Sequence, residues 1–307
     1  MNTMDILVGY TGFVGSNIAA HKNFDGLYNS KNIQEAYDTH PNLCVYAGVR
    51  AEKFLANKDP EGDMAAIENA FFNIAKIHPR RLVLISTIDV LKSPNGCIET
   101  DKNDIDGLQP YGYDRALLEN RCRESFDNCH IIRLPALFGK NIKKNFIYDI
   151  IHFVPSMLSE SKYRELSDIS PLIASSYHLL PNGFYKLATE SDMSVLKSEF
   201  SNIGFSALNF TDSRARYQYY DLSLLWGHIQ KVIENNIPLL HAAVEPVSAA
   251  EIFRAVTGND FVNEISEMPI CYDFKTMYDK LFGGKDGYLM DKQSVIDAIQ
   301  SFVGDNT

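Results

Sequence analysis

The chain has 307 residues, enough for one large domain or for a domain with a smaller lobe. Hydrophobic residues make up 45% and charged residues 22%, and a net charge of −10 with no basic run excludes a nucleic-acid binder, which needs cations along the phosphates. No apolar run approaches a membrane span and no basic segment leads into one ahead of MDILVGYTG, so a soluble, cytoplasmic protein is expected.

Met4 to Val8 is a short apolar run ending in glycine, as in a buried parallel strand. Gly15 to His21 reads as a helix, Phe24 to Asn29 as a second strand and Leu43 to Ala47 as a third. Met64 to Ile77 has helical spacing, with Ile67, Phe71, Ile74 and Ile77 on one stripe. Leu82 to Thr87 is the most strand-like segment. A helix is expected from about Tyr111 to Phe126, and a strand at His130 to Leu134. This alternation predicts an α/β fold, a doubly wound parallel sheet of the Rossmann type, with ligands beyond Val8, Ala47, Thr87 and Leu134.

Past Gly139 the pattern loosens. Lys143 to Phe153 reads as helical, Pro155 to Asn209 as mixed, Asp221 to Glu234 as a helix, and Val247 to Val256 as a helix with Ser248 as N-cap. Residues 1–140 are expected to form a dinucleotide-binding domain. Residues 141–307 are expected partly to complete it and partly to form a smaller substrate-binding lobe. Trp226 is expected in the core. The five cysteines show no CxxC and no zinc spacing with histidine, so they read as reduced thiols, and no metal site is expected.

VGYTGFVGSN places Gly9, Gly12 and Gly15 directly after the first strand. Glycines there permit a tight turn and close approach of backbone to a pyrophosphate, and the following helix supplies free N–H groups. Thr11, Phe13 and Val14 belong to the same turn. The ribose of a dinucleotide should meet the end of the second strand, at Asn29, Ser30 and Lys31. An acidic residue there would repel a 2′-phosphate. Asn, Ser and Lys do not, which favours NADP and leaves NAD possible, with a plain solvated turn as the alternative.

Taken together, GYTGFVGSNI, LVLISTIDVL, PYGYDRALLE and HIIRLPALFG resemble, in order and spacing, the extended short-chain dehydrogenase/reductases. These are NAD(P)-dependent epimerases, dehydratases and reductases that mostly act on nucleotide sugars. The resemblance covers about residues 4 to 140. It implies that Thr87 is the hydroxyl that orients a substrate oxygen, with Ser86 as fallback. It also implies a proton-transferring tyrosine about two dozen residues on, after a proline, which selects Tyr111 after Pro110.

Spacing alone would not make that choice. Tyr46 has Arg50 four residues on and Tyr288 has Lys292, but neither stands in the right place, and Tyr113 is followed by Leu117. The family carries lysine four residues after its tyrosine, where this chain has Arg115. Arginine keeps the charge that lowers a phenol's pKa, but its planar fork meets ribose hydroxyls differently.

Asp89 stands where dehydratases of the family carry an acid, although Ile88 replaces the first of their two. Asp89 therefore reads as a second acid–base group or as a loop cap. Ala47 and Gly48, with Leu134 and Pro135, correspond to positions that border the cofactor. The implied activity is an NAD(P)-dependent oxidoreductase on a nucleotide-linked sugar, foremost a 4-keto-sugar reductase. A 4-epimerase and a catalytically weak NAD(P)-binding sensor are the alternatives. The helices at 64–77 and 111–126 would pair in a homodimer through Phe71, Phe72, Leu117 and Leu118.

Overall fold

Buried parallel strands must be apolar on both faces, because helices cover each side of the sheet. The segments that satisfy this rule pair as expected in the structure, a computed structural model that describes residues 4–306. In chain order they are β1 (Asp5–Val8), α1 (Phe13–His21), β2 (Gly26–Tyr28), β3 (Leu43–Tyr46), α2 (Lys53–Lys58), α3 (Pro60–Ile77), β4 (Leu82–Thr87), α4 (Pro110–Ser125) and β5 (Cys129–Leu134). A short β6 (Ala136–Phe138) pairs with β7 (Tyr219–Asp221), and α5 (Leu225–Glu234) leads into β8 (Leu239–His241).

The six-stranded sheet runs β8-β5-β4-β3-β1-β2, every pair parallel. Strand order reverses at β1, which lies between β2 and β3, so the crevice beyond Val8 is the switch point of the sheet. Register sets the heights of the strand ends. Val8 is level with Tyr28 and Tyr46, whereas β4 continues past Tyr46's partner Leu84 to end at Thr87, level with Leu134. Ile6, Leu7, Val45, Leu82, Val83 and Ile131 are fully buried.

Two compact units emerge. The first holds residues up to 142 together with 216–247 and 270–298, and the second holds 143–215, 248–269 and the chain from 299 onward. The second unit has its own core of Val154, Leu158, Leu166, Ile173, Tyr177, Leu196 and Phe200. It carries a three-stranded antiparallel sheet in the order Met157–Leu158, Tyr185–Leu187, Tyr177–Leu179. Ser248 caps the helix Ala249–Thr257 in a reciprocal capping box with Glu251. No helix of the described residues is long and apolar enough to cross a membrane.

Several boundaries differ from the sequence reading. The second strand shrinks to Gly26–Tyr28, and the helix expected at Lys143 to Phe153 to Phe146–His152, where Asn145 accepts from the amides of Ile147 and Tyr148 and so starts it late. The helix expected from Asp221 starts at Leu225, because Asp221 belongs to β7 and a 3₁₀ turn follows it. On α3, Ala70 is buried and Phe71 only half-buried. Trp226 is half-buried, edge-on to Phe24 with the Lys22 ammonium above both rings. β8 and α2 have no counterpart in the sequence reading. β8 is three residues long and lies in the IPLLHAAV run, too short for either periodicity to register.

Candidate active site

The turn after β1 is built almost entirely from backbone. Gly9 has φ of +89°, and a Cβ there would sit 2.4 Å from the Ala47 carbonyl oxygen, so only glycine lets the turn pass the end of β3. A Cβ on Gly15 would lie 2.1 Å from the Gly9 oxygen, so this glycine seats α1 against the turn. The Gly12 amide donates to the Gly9 carbonyl (2.9 Å), and Gly12 is the N-cap of α1, with no side chain bonding the first helical amides. Those free N–H groups and the positive end of the helix dipole suit an anion such as a pyrophosphate. Thr11 and Gly12 are exposed, Phe13 and Val14 half-buried, and Ala47 and Gly48 line the neighbouring strand end.

Beyond β2, the Asn29 side chain is spent on its own loop. Its Oδ1 accepts from the Lys31 amide (2.9 Å), while its backbone N–H donates to Asn32 Oδ1 (2.8 Å). This is an Asx turn, which leaves exposed Ser30 and Lys31 as the groups able to meet a ribose or its phosphate.

At the end of β4 the structure brings together Thr87, Asp89, Tyr111 and Arg115. Successive strand residues face opposite ways, and this separates the two candidate hydroxyls. Ser86 donates to Glu119 (2.6 Å), a fully buried carboxylate held by Arg133, so Ser86 is not the free hydroxyl. Thr87 Oγ1 accepts from the Asp89 amide (3.2 Å), and its hydroxyl is a neighbour of the Tyr111 phenol. Tyr111 is 6% exposed. Burial pushes the phenol above its ordinary range, and Asp89 adds to the rise; Arg115, Thr87 and Lys53 oppose it.

Gly112 explains how α4 comes so close. A Cβ there would fall 2.1 Å from the Asp89 carbonyl oxygen, so the first turn of α4 packs directly on the 3₁₀ turn Ile88–Val90.

Arg115 differs from its expected role. Its guanidinium grips Asp63 in a two-pronged pair (Nη1 to Oδ2 2.6 Å, Nη2 to Oδ1 3.1 Å) and also donates to the carbonyls of Tyr111 (2.9 Å) and Arg50 (2.6 Å). It is 5% exposed and stacks on the Tyr111 ring, 3.8 Å from the centroid. The fork assigned to a cofactor ribose is thus committed to the protein. Beside it, burial raises the Asp114 carboxyl to about 6, with the neighbouring Asp63 carboxyl adding to the effect.

Asp89 is an ion-pair partner. Its Oδ1 accepts from Lys53 Nζ at 2.7 Å. Leu134 is buried, and Pro135 is half-buried at the end of β5. Of the two other tyrosines with a cation at +4, Tyr46 is buried on β3 and Tyr288 donates to Asp273. The sequence reading missed Lys53, Asn57, Asp63 and Tyr272. The one local signal was AEKFLANKDPEGD, in which Lys53 and Asn57 stand one helical turn apart before an Asp-Pro helix start.

No family model matches the chain, and no curated protein does. Solved structures do. The chain is 16% identical to a dTDP-4-dehydrorhamnose reductase from Bacillus anthracis in complex with NADP, over 99% of both chains, with a TM-score of 0.63. A dTDP-4-dehydrorhamnose reductase from Yersinia enterocolitica gives 12% identity and a TM-score of 0.65 over 100% of each. An NAD-dependent NDP-hexosamine 5,6-dehydratase involved in tunicamycin biosynthesis gives 10% and 0.60, over 99% of this chain and 98% of that one. At these identities the likeness establishes a shared fold.

Proposed function

We propose that the chain is an NADP(H)-dependent oxidoreductase of nucleotide-linked sugars, foremost a reductase of 4-keto sugars. One observation carries this reading. Tyr111, at the start of α4, and Thr87, at the end of β4, stand as neighbouring hydroxyls in the same unit that presents an uncapped helix N-terminus beyond β1. The first pair suits proton delivery to a carbonyl oxygen, and the second suits a pyrophosphate.

Gly9, Gly12 and Gly15, with Thr11, Phe13 and Val14, would hold the pyrophosphate. Ser30 and Lys31 would meet a 2′-phosphate, which favours NADP over NAD. Ala47, Gly48, Leu134 and Pro135 would border the rest of the dinucleotide. When bound, the reduced nicotinamide supplies a hydride. Thr87 orients the substrate oxygen, and Tyr111 holds the proton at Oη and gives it to that oxygen as negative charge develops there. Asp89, paired to Lys53, is bound to a cation rather than poised as a second acid, which supports reduction over dehydration. The neighbouring dTDP-4-dehydrorhamnose reductases support the same choice.

The test is to incubate the protein with a panel of nucleotide-linked 4-keto sugars and NADPH and to follow loss of the reduced-nicotinamide absorbance. Consumption with formation of the 4-hydroxy sugar is expected. No consumption across the panel overturns the reductase, and C4 inversion of a 4-hydroxy sugar without net consumption assigns the epimerase instead. A cytoplasmic homodimer goes with this reading, through exposed Phe72 on α3 and Tyr113 on α4. Leu118 does not take part, since it lies in the core at 2% exposure.

A further inference from the structure

Glu119 is a fully buried carboxylate that the proposed chemistry does not use. It stands on α4 eight residues after Tyr111, with Arg115 midway. Steps of four residues join neighbours on a helix surface, so one flank of α4 leads from the phenol to the carboxylate. The helix packs on β4 and β5, where Ser86 is level with Arg133 and Thr87 with Leu134.

Both members of the Ser86–Arg133 pair donate to Glu119. Ser86 Oγ reaches Oε1 at 2.6 Å, while Arg133 reaches Oε1 from Nε at 3.0 Å and Oε2 from Nη2 at 2.6 Å. Arg133 is held in turn by His241 of β8. An imidazole nitrogen that faces a carbonyl carries the proton, so His241 Nδ1 donates to the Lys275 oxygen (3.0 Å). Its Nε2 is then the acceptor for Arg133 Nη1 (3.2 Å). Charge-assisted bonds thus tie α4 to β4 and β5, and Arg133 to β8.

A buried ion pair is a weak source of stability, because apolar side chains of similar volume often serve as well or better. What bonds of this kind do supply is a fixed distance. Here the distance runs between the helix that bears Tyr111 and the strand that bears Thr87, one residue past Ser86. We propose that Glu119 is a positioning residue of the site. Through Ser86 it sets the end of β4 against α4, and so holds the Thr87 and Tyr111 hydroxyls where both reach one substrate oxygen. This rests on the reading of those two hydroxyls as the proton-transfer pair.

Misplacing a reacting group by about 1 Å can cost about a hundredfold in rate, so a bond that touches no substrate can still govern turnover. Ser86→Ala removes the β4 bond alone and leaves the Glu119–Arg133 pair whole. It should lower kcat about tenfold with KM for sugar and cofactor unchanged. Ser86→Thr returns the hydroxyl and should return kcat with it.

Replacing Glu119 and Arg133 together by Met separates position from stability. Neither charge is left unpaired, so the melting temperature should hold, yet kcat should fall as in Ser86→Ala. A second readout needs no substrate. In protein labelled with fluorotyrosine, the Tyr111→Phe variant assigns the Tyr111 fluorine resonance by its loss, and Ser86→Ala should shift that resonance.

A merely structural bond would lower the melting temperature of Ser86→Ala and leave kcat and the resonance where they were. An unmoved resonance overturns the proposal, and so does a wild-type kcat in Ser86→Ala. A failed sugar panel beside a shifted resonance would sink the reductase alone, with Glu119 still shown to set the place of the phenol.

Discussion

The turn after β1 and the cluster before α4 stand at strand ends of one sheet, yet they are made in different ways. The turn is local. Seven consecutive residues, three of them glycines, define it, and what it offers a ligand is backbone N–H. The cluster is assembled from α2, α3, β4, α4 and the segment around Tyr272, and what it offers is side-chain hydroxyl and charge. A backbone site depends on which residues lack a Cβ. A side-chain site depends on which partners the rest of the fold delivers.

The largest break in this contrast is Tyr111→Phe. It removes the donated proton and leaves ring, stacking and turn in place, so kcat should fall about 10³-fold while cofactor binding, followed by nicotinamide fluorescence, holds.

Gly15→Ala tests the other side. Its Cβ has no room beside the Gly9 carbonyl, and the chain should lose about 3 kcal/mol in urea unfolding together with its dinucleotide affinity. Gly12→Ala, with 3.3 Å to that same oxygen, should keep the fold and weaken only the affinity.

Arg115→Lys comes next. One ammonium cannot replace the two-pronged grip on Asp63 and the bond to the Arg50 carbonyl, so thermal unfolding should show a loss of about 2 kcal/mol, and activity should fall. A gain in activity would mean that Arg115 is a damaged lysine rather than a built-in brace.

The smallest effect is expected at Asp114. Its folded-state carboxyl titrates at about 6 against an ordinary 3.8, so the folded chain keeps a proton that the unfolded chain has lost between those values. Stability should therefore fall as pH rises through that window and level off above it. Asp114→Asn keeps a donor toward Asp63 without the charge. It should gain about 1 kcal/mol at about pH 8 and nothing at about pH 4 in urea melts.

Much of the fold was legible because its signals are local. Apolar runs such as LVLIST and LCVY suit buried strands between helices, and the glycine spacing directly after the first strand suits a tight turn. The choice of Thr87 and Tyr111 came from the resemblance to the extended short-chain dehydrogenase/reductases, whose separation and proline Thr87, Pro110 and Tyr111 match. Gly112, whose missing Cβ lets α4 rest on residue 89, was in plain sight in PYGYDR, but only the packing gives it meaning.

The sequence by itself determined the parallel α/β sheet and the glycine turn, since each depends on residues near one another or on a repeating pattern. Only the tertiary structure decided where the charges go. Arg115 turns to Asp63 from α3, Ser86 to Glu119, and Lys53 from α2 to Asp89. A buried charge takes whichever partner the fold brings within hydrogen-bonding distance, and that partner lies tens of residues away, where no spacing rule reaches.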